Sequence, residues 1–286
     1  MGVGSDPREV STMGDRYLIA FDMDGTLLRP DGTIGARSRQ IIAELEARGH
    51  YVTIASGRPD RVITPYYRDL GMNGPVVCYN GSKVFKPDDP TFPIYRKLIS
   101  VDVIQKFLRT FGYERFDTLM AESDTAIYIN HPDLTLADFF HPDGMMVKMG
   151  DLRELVNEDC YVLIIGMKNH DLDERLVRCA FQFPGIGLRF WGGLESRYSE
   201  LYFPDSSKTT GLAIAQEYVG LDRDHVIVIG DGDNDVEMLT HFPHSIAMIN
   251  GEKQVQRRAS RISDLDNAHD GAAEAVLKLV NELEGR

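Results

Sequence analysis

Residues Tyr17-Leu18-Ile19-Ala20-Phe21 form an unbroken apolar run that stops at two carboxylates, Asp22 and Asp24. A run without polar alternation suits a strand covered on both faces, the ordinary state of a central strand in a parallel sheet. Ligands of such sheets lie just beyond the carboxyl ends of the strands. Side chains two apart on extended backbone share a face, so Asp22 and Asp24 are expected to face that site while Met23 faces away. Gly25 then lets the chain turn off the strand. Two carboxylates forced together repel each other and lose solvation, and a bound cation relieves both costs; hard oxygen ligands favour Mg²⁺. An Asp-Gly turn with two solvated acids is the simpler reading of this spacing alone. The rest of the chain decides against it.

After the acidic pair a polar loop, Arg29 to Gly35, leads to a helix expected over about Ala36 to Arg48, with Gly49 as its stop. Tyr51 to Ala55 reads as a second strand ending at Ser56-Gly57-Arg58. Pro59 opens a helix to about Leu70, and Pro75 to Tyr79 reads as a third strand. This alternation predicts an α/β doubly wound, Rossmann-like parallel sheet. Beyond Gly81 the rhythm changes. Helices are expected near 101–111, 134–140, 152–158 and 173–183. Strands are expected near 119–122, 126–129, 146–148, 161–167, 186–191 and 198–203. Strands that follow one another without helices imply an inserted α+β segment with a mainly antiparallel sheet. The core rhythm returns with a helix from about Ser207, a short strand Val226 to Ile229, a helix from about Val236, a strand near Ser245 to Met248 and a last helix from about Ala272 to Leu283. The expected division is residues 14–84 and 204–286 for the core and 85–203 for the insert, with hinges near Gly81–Lys83 and Phe203–Asp205.

The chain has 286 residues, a size that can bury a substantial core, and its formal charge of −13 argues against nucleic acid or an anionic membrane as partner. That charge does not exclude a phosphorylated small molecule, because local Mg²⁺ and lysine override the global sign. Cys78, Cys160 and Cys179 form no Cys-x-x-Cys pair and sit in apolar stretches, which fits inert thiols in a reducing cytoplasm. No apolar run approaches a membrane span, and residues 1–13 lack the apolar middle of a signal peptide, so they are read as a leader or an early start. The composition leaves a homo-oligomer open. Asn80-Gly-Ser matches a glycosylation acceptor by chance, and Lys253, Arg257, Arg258 and Arg261 read as a solvated helix face.

Four short motifs stand at expected strand tips or helix starts: Asp22-x-Asp24-Gly-Thr, Ser56-Gly57-Arg58, Lys208, and Gly230-Asp231-x-x-Asn234-Asp235. Together, and in this order, they resemble the four motifs of the haloacid dehalogenase superfamily of phosphotransferases. The insert resembles the large α/β cap of its Cof-type subfamily. The resemblance covers about Asp15 to Leu283. It departs at Ser56, where threonine is commoner, and at Met248-Ile-Asn250-Gly251 and Asn267-Ala-His269-Asp270-Gly271, which bear on pocket shape.

The resemblance implies a phosphatase that uses Mg²⁺ on a small phosphorylated metabolite, a sugar phosphate first among them. Asp22 would be the nucleophile and Asp24 the acid and then base. Lys208 would neutralise phosphoryl charge. Met23, Ser56, Gly57 and Asn234 would join Lys208 around the phosphate, and Asp22, Asp24 (by its carbonyl), Asp231 and Asp235 would serve the metal. The four aspartates sum to −4 when ionised, so a phosphate dianion needs the metal, Lys208 and a proton on Asp24. Trp191-Gly192-Gly193, His131 and Glu195 are weaker candidates for substrate contact. Read singly, Lys208 is a surface lysine, Ser56 a helix N-cap and Trp191 a packing residue. Two other functions compete. A mutase or phosphotransferase would pass the same aspartyl-phosphate to another hydroxyl, and a receiver-like signalling domain would share the carboxylates and lysine but has no use for so large an insert. A P-loop is excluded because Ser207-Lys208-Thr209 lacks the upstream glycines.

Overall fold

The computed structural model describes residues 16–286 apart from 134–135, 137–141, 143, 169–172 and 192–197. The expected helix at 134–140, Gly192, Gly193, Glu195 and the leader therefore lie outside the described residues. The apolar run forms strand β1 (Leu18–Phe21), flanked in parallel by β2 (Tyr51–Ile54) and β12 (Val226–Gly230). Beyond β12 lie β13 (His244–Ala247) and the two-residue β14 (Arg261–Ile262), giving the order β14-β13-β12-β1-β2.

Both faces of β1 are covered, which accounts for its unbroken apolar sequence. Ile19 and Phe21 pack with α1 (Ala36–Ala47), α2 (Asp60–Asp69) and α9 (Gly271–Leu283), through Ile41, Ile42, Ile63, Val276 and Val280. Leu18 and Ala20 face α6 (Lys208–Val219) and α7 (Val236–His241), through Leu212, Ala215, Met238 and Leu239. Helix α6 opens on Ser207, whose side chain accepts from the Thr210 N–H while Thr210 closes a reciprocal cap. This cap fixes the first turn, and Lys208 is the first residue of that turn.

The third strand, β3 (Val76–Cys78), meets the main sheet through one parallel bridge, Ala55 to Val77. It then pairs antiparallel with β4 (Lys83–Phe85), and β4 with β5 (Tyr95–Arg96). Val84 and Phe92 belong to the same apolar cluster as Ala20 and Val228. The expected boundary between residues 84 and 85 therefore divides a hairpin that packs on the core. Among the described residues, backbone pairing with the inserted segment begins at Ile99, which bridges Cys160 two residues ahead of the strand Val162–Met167. Gly81–Lys83 is thus no crossing. It lies against the return segment, with the Ser82 and Ser206 hydroxyls 3.1 Å apart.

The second sheet has the order β10-β11-β9-β6-β7-β8. Its strands are β6 (Phe116–Glu122), β7 (Ala126–Ile129), β8 (Met146–Met149), β9 (Val162–Met167), β10 (Gly187–Phe190) and β11 (Tyr198–Tyr202). All its pairings are antiparallel except β7 with β8. One face is packed by α3 (Val101–Phe111) and α5 (Asp173–Ala180), with Ile104, Phe107, Leu108 and Leu176 against Leu119, Leu163 and Ile165. The short α4 (Leu152–Leu155) is a single turn, and the helix expected to reach 158 stops where Val156 becomes extended.

The three cysteines are buried and free, and no helix among the described residues is long and apolar enough to cross a membrane. The basic cluster is not one helix face. Lys253 lies in α8 (Lys253–Gln256), but Arg261 stands on β14 and pairs with Glu282 at 2.6 Å.

Candidate active site

The carboxyl ends of β1 and β12 bring the first and fourth motifs together. Asp22 continues β1, its N–H bonded to the Ile229 carbonyl at 3.0 Å. The backbone then turns tightly through Met23–Leu27, where Gly25 takes φ 70°. A Cβ on Gly25 would lie 2.2 Å from Asp231 Oδ2, so only glycine lets β1 and the β12 loop approach this closely. Met23 is buried in the core and faces away from the acids, as the alternation predicts.

Lys208 enters from the start of α6. Its Nζ donates to Asp22 Oδ1 and to Asp235 Oδ1, both at 2.6 Å, with the ammonium fully buried. Asp235 spends its other oxygen on the N–H groups of Asp231 (3.0 Å) and Gly232 (2.9 Å), which fixes the loop. Thr26 donates to Asp231 Oδ1 at 3.1 Å. Asp22 Oδ2 has no hydrogen-bond partner among the described residues. Carboxylate oxygens of Asp22, Asp231 and Asp235 lie within 4.8 Å of one another. Such a hard-oxygen set fits a divalent cation of the Mg²⁺ kind.

The electrostatics follow from burial. It pushes the Asp22 carboxyl well above the usual carboxylate range; the Lys208 ammonium pulls it down, and Asp235 and Asp231 push it further up. Asp231 is pushed up to about 6, by burial first and by Asp235 second. Burial alone would lower the Lys208 ammonium, but Asp22 and Asp235 hold it above its ordinary value. A cation bound among these carboxylates would offset their mutual repulsion.

Asp24 differs from Asp22 in its surroundings. Its side chain is 62% exposed, and both its oxygens are held by the Arg58 fork, Nε to Oδ2 at 2.8 Å and Nη2 to Oδ1 at 2.6 Å. Ser56 is buried, and its hydroxyl accepts from the Arg58 N–H at 3.2 Å. It does not cap the next helix; Pro59 occupies that position. Asn234 donates to Asn80 Oδ1 at 3.0 Å. Asn80, with φ 51° in the left-handed region, lines the same cavity as Asn234.

Asp22, Asp24, Ser56, Gly57, Asp231 and Asn234 line one cavity of about 460 Å³ whose opposite wall is the second sheet. Met120, Ile164, Arg189 and Glu200 line that wall, with Trp191 beside them. His131 does not. Its ring nitrogens face the carbonyls of Asp117 and Pro132 in a separate surface depression. Glu122, at the end of β6, joins the two layers. It accepts from Arg61 and from the Tyr79 hydroxyl, while Tyr79 stacks on Tyr161 with centroids 4.4 Å apart. Lys83 adds a second tie, to Asp60 at 2.7 Å and Asp124 at 2.8 Å.

The sequence pattern of the haloacid dehalogenase-like hydrolases matches residues 19–276. The chain belongs to that family. The hydrolase falls among its phosphatases. It is 33% identical over 258 residues to the 5-amino-6-(5-phospho-D-ribitylamino)uracil phosphatase of Bacillus subtilis, covering 90% of this chain and 95% of that one. It is 25% identical over 279 residues to the pyridoxal phosphate phosphatase of Escherichia coli, covering 91% and 97%. In fold, it resembles a haloacid dehalogenase-like hydrolase from Bacteroides thetaiotaomicron with a TM-score of 0.77 at 23% identity, over 92% and 99% of the chains.

Reading the hydrolase by sequence alone missed Thr26, Arg58, Asn80, Glu122, Arg189 and Glu200 as site residues. Thr26 and Arg58 were legible in principle, since each sits inside a quoted motif. The others meet the site only through folding.

Proposed function

We infer that this phosphatase hydrolyses a small phosphorylated metabolite through an aspartyl-phosphate at Asp22, with Mg²⁺ bound. One observation carries the reading: Asp22 is buried, one oxygen is fixed by Lys208, and the other has no protein partner beside the cavity. Asp22 Oδ2 attacks phosphorus, the bond from phosphorus to the ester oxygen breaks, and that oxygen takes a proton from Asp24. Water then attacks the phosphorus of the aspartyl-phosphate, giving its proton back to Asp24 and releasing Asp22. To do this, Asp24 exchanges one Arg58 N–H for the leaving oxygen. Asp22 and Asp231 would hold the ion, with the Asp24 carbonyl beside them and Asp235 fixing the loop that carries Asp231. Bound Mg²⁺ would neutralise phosphoryl charge. Ser56, Gly57, the Met23 backbone and Asn234 would cradle the remaining phosphate oxygens.

The relative at 33% identity supports a leaving group larger than a simple sugar, a polyol joined to a ring. The cavity wall, partly apolar at Met120, Ile164 and Trp191 and partly charged, supports the same class. The core and cap division, the cytoplasmic setting and water as the phosphoryl acceptor are parts of this reading. Product analysis with an added alcohol separates hydrolysis from transfer.

Two results are expected. Excess chelator should abolish turnover, Mg²⁺ should restore it, and Ca²⁺ should inhibit, because its longer bonds and higher coordination let Asp22 bind through both oxygens. Full turnover in chelator would remove the metal from the account. Asp24→Asn should cost about 10²- to 10⁴-fold on alkyl phosphates and far less on p-nitrophenyl phosphate, whose leaving group departs unprotonated. Equal losses on both would deny Asp24 the acid role.

A further inference from the structure

The cavity wall contains a charged pair that the phosphoryl chemistry leaves unused. Across the second sheet, Met120 pairs with Ile164, Ile164 with Glu200, and Glu200 with Arg189, so four strands put one row of side chains on the face above Asp22. Arg189 donates from Nε (3.0 Å) and Nη2 (2.8 Å) to the same oxygen, Glu200 Oε1, and its guanidinium stacks 4.4 Å over the Tyr202 ring. The Glu200 side chain is 10% exposed and that of Arg189 28%. Arg189 Nη1 and Glu200 Oε2 have no hydrogen-bond partner among the described residues. Both residues line the cavity, so a ligand bound there can supply these two atoms with partners.

We propose that Arg189 and Glu200 determine specificity by reading the polar edge of a heterocycle on the leaving group, an N–H beside a carbonyl as in a lactam or imide. Nη1 donates to the ring carbonyl and Oε2 accepts from the ring N–H. Tyr202 and Glu200 hold the guanidinium plane in place, so little side-chain freedom is lost on binding. The adjoining Ile164 and Met120 cover an apolar ring face, which a bare polyol does not present. The assignment rests on the phosphatase reading and deepens it by naming the chemistry of the leaving group.

The test compares kcat/KM for riboflavin 5′-phosphate, its N3-methyl derivative, D-ribitol 5-phosphate and p-nitrophenyl phosphate, with wild type and with Arg189→Met/Glu200→Met. The double change removes donor and acceptor together and leaves no lone buried charge. Wild type should prefer the unmethylated ring ester over both the methylated one and ribitol phosphate by roughly tenfold or more, since a polar site rejects an analogue that lacks its partner. The double variant should lose both preferences while staying within about threefold of wild type on p-nitrophenyl phosphate, which engages only the phosphate end. Equal wild-type rates on the methylated and unmethylated esters overturn the assignment, whether or not the variant folds. So does a double variant that keeps the wild-type ratios. A wild type that releases phosphate from none of the four overturns the phosphatase reading instead.

Discussion

Asp22→Asn should give a folded protein with no measurable turnover. On the proposed route the change removes the attacking oxygen while keeping the shape of the side chain, and with it the covalent path that splits hydrolysis into two steps. The loss should be on the order of 10⁶-fold, the lower end of what enzymes supply over the uncatalysed reaction. Stability should not fall with it. Burial, Asp235 and Asp231 push the Asp22 carboxyl towards its neutral form against the pull of Lys208, so an uncharged amide relieves repulsion, while Lys208 keeps Asp235 at 2.6 Å. Phosphate release and thermal unfolding measured on the same preparation check both halves. Near-normal release would remove Asp22 as nucleophile, and a collapse in Tm would mean that its charge holds the loop together.

Lys208→Met should have the largest effect on stability. The ammonium is fully buried between two carboxylates, and its removal leaves Asp22 and Asp235 facing each other and Asp231 without compensation. Breaking a buried ion pair from one side costs about 3–5 kcal/mol, far more than the pair contributes over an apolar substitute. The loss should be greatest in chelator and partly reversed by millimolar Mg²⁺, which binds the folded cluster and not the unfolded chain. Activity should vanish in either condition. Denaturant unfolding with and without Mg²⁺ tests this, and a variant as stable as wild type in chelator would mean that the carboxylates take up protons in place of the lysine.

Much of the acidic cluster around Lys208 was legible because it lies in short segments at the ends of apolar runs. Tyr17–Phe21 and Val226–Gly230 could hardly be anything but buried strands, and the acids that follow them had to share one edge of the sheet. The hairpin of Lys83–Phe85 and Tyr95–Arg96 was not legible. Strands of three and two residues are too short to show a period, and Lys83 hides there as a surface charge although it ties Asp60 to Asp124. The cap wall was illegible for a different reason. Arg189 and Glu200 are eleven residues apart with part of the intervening chain outside the described residues, and their meeting is set by strand register, which no single segment encodes. Glu122 is the same case, since Arg61 and Tyr79 reach it from separate elements of the core.

The row Met120, Ile164, Glu200 and Arg189 takes one residue from each of four strands. The neighbours Leu119, Ala121, Leu163, Ile165 and Leu201 belong instead to the apolar cluster on the opposite side. Strand alternation thus writes two messages into one stretch of chain: on β6, β9 and β11 even positions face what the cavity accepts and odd ones hold the sheet to its helices, and on β10 the parity is reversed. New substrates are accordingly reachable by exchanging a few side chains along the row, with no change in chain length and no disturbance of the packing behind it. The same arrangement forbids register slips: a shift of one residue would turn leucines toward the phosphate and bury Glu200 among phenylalanines.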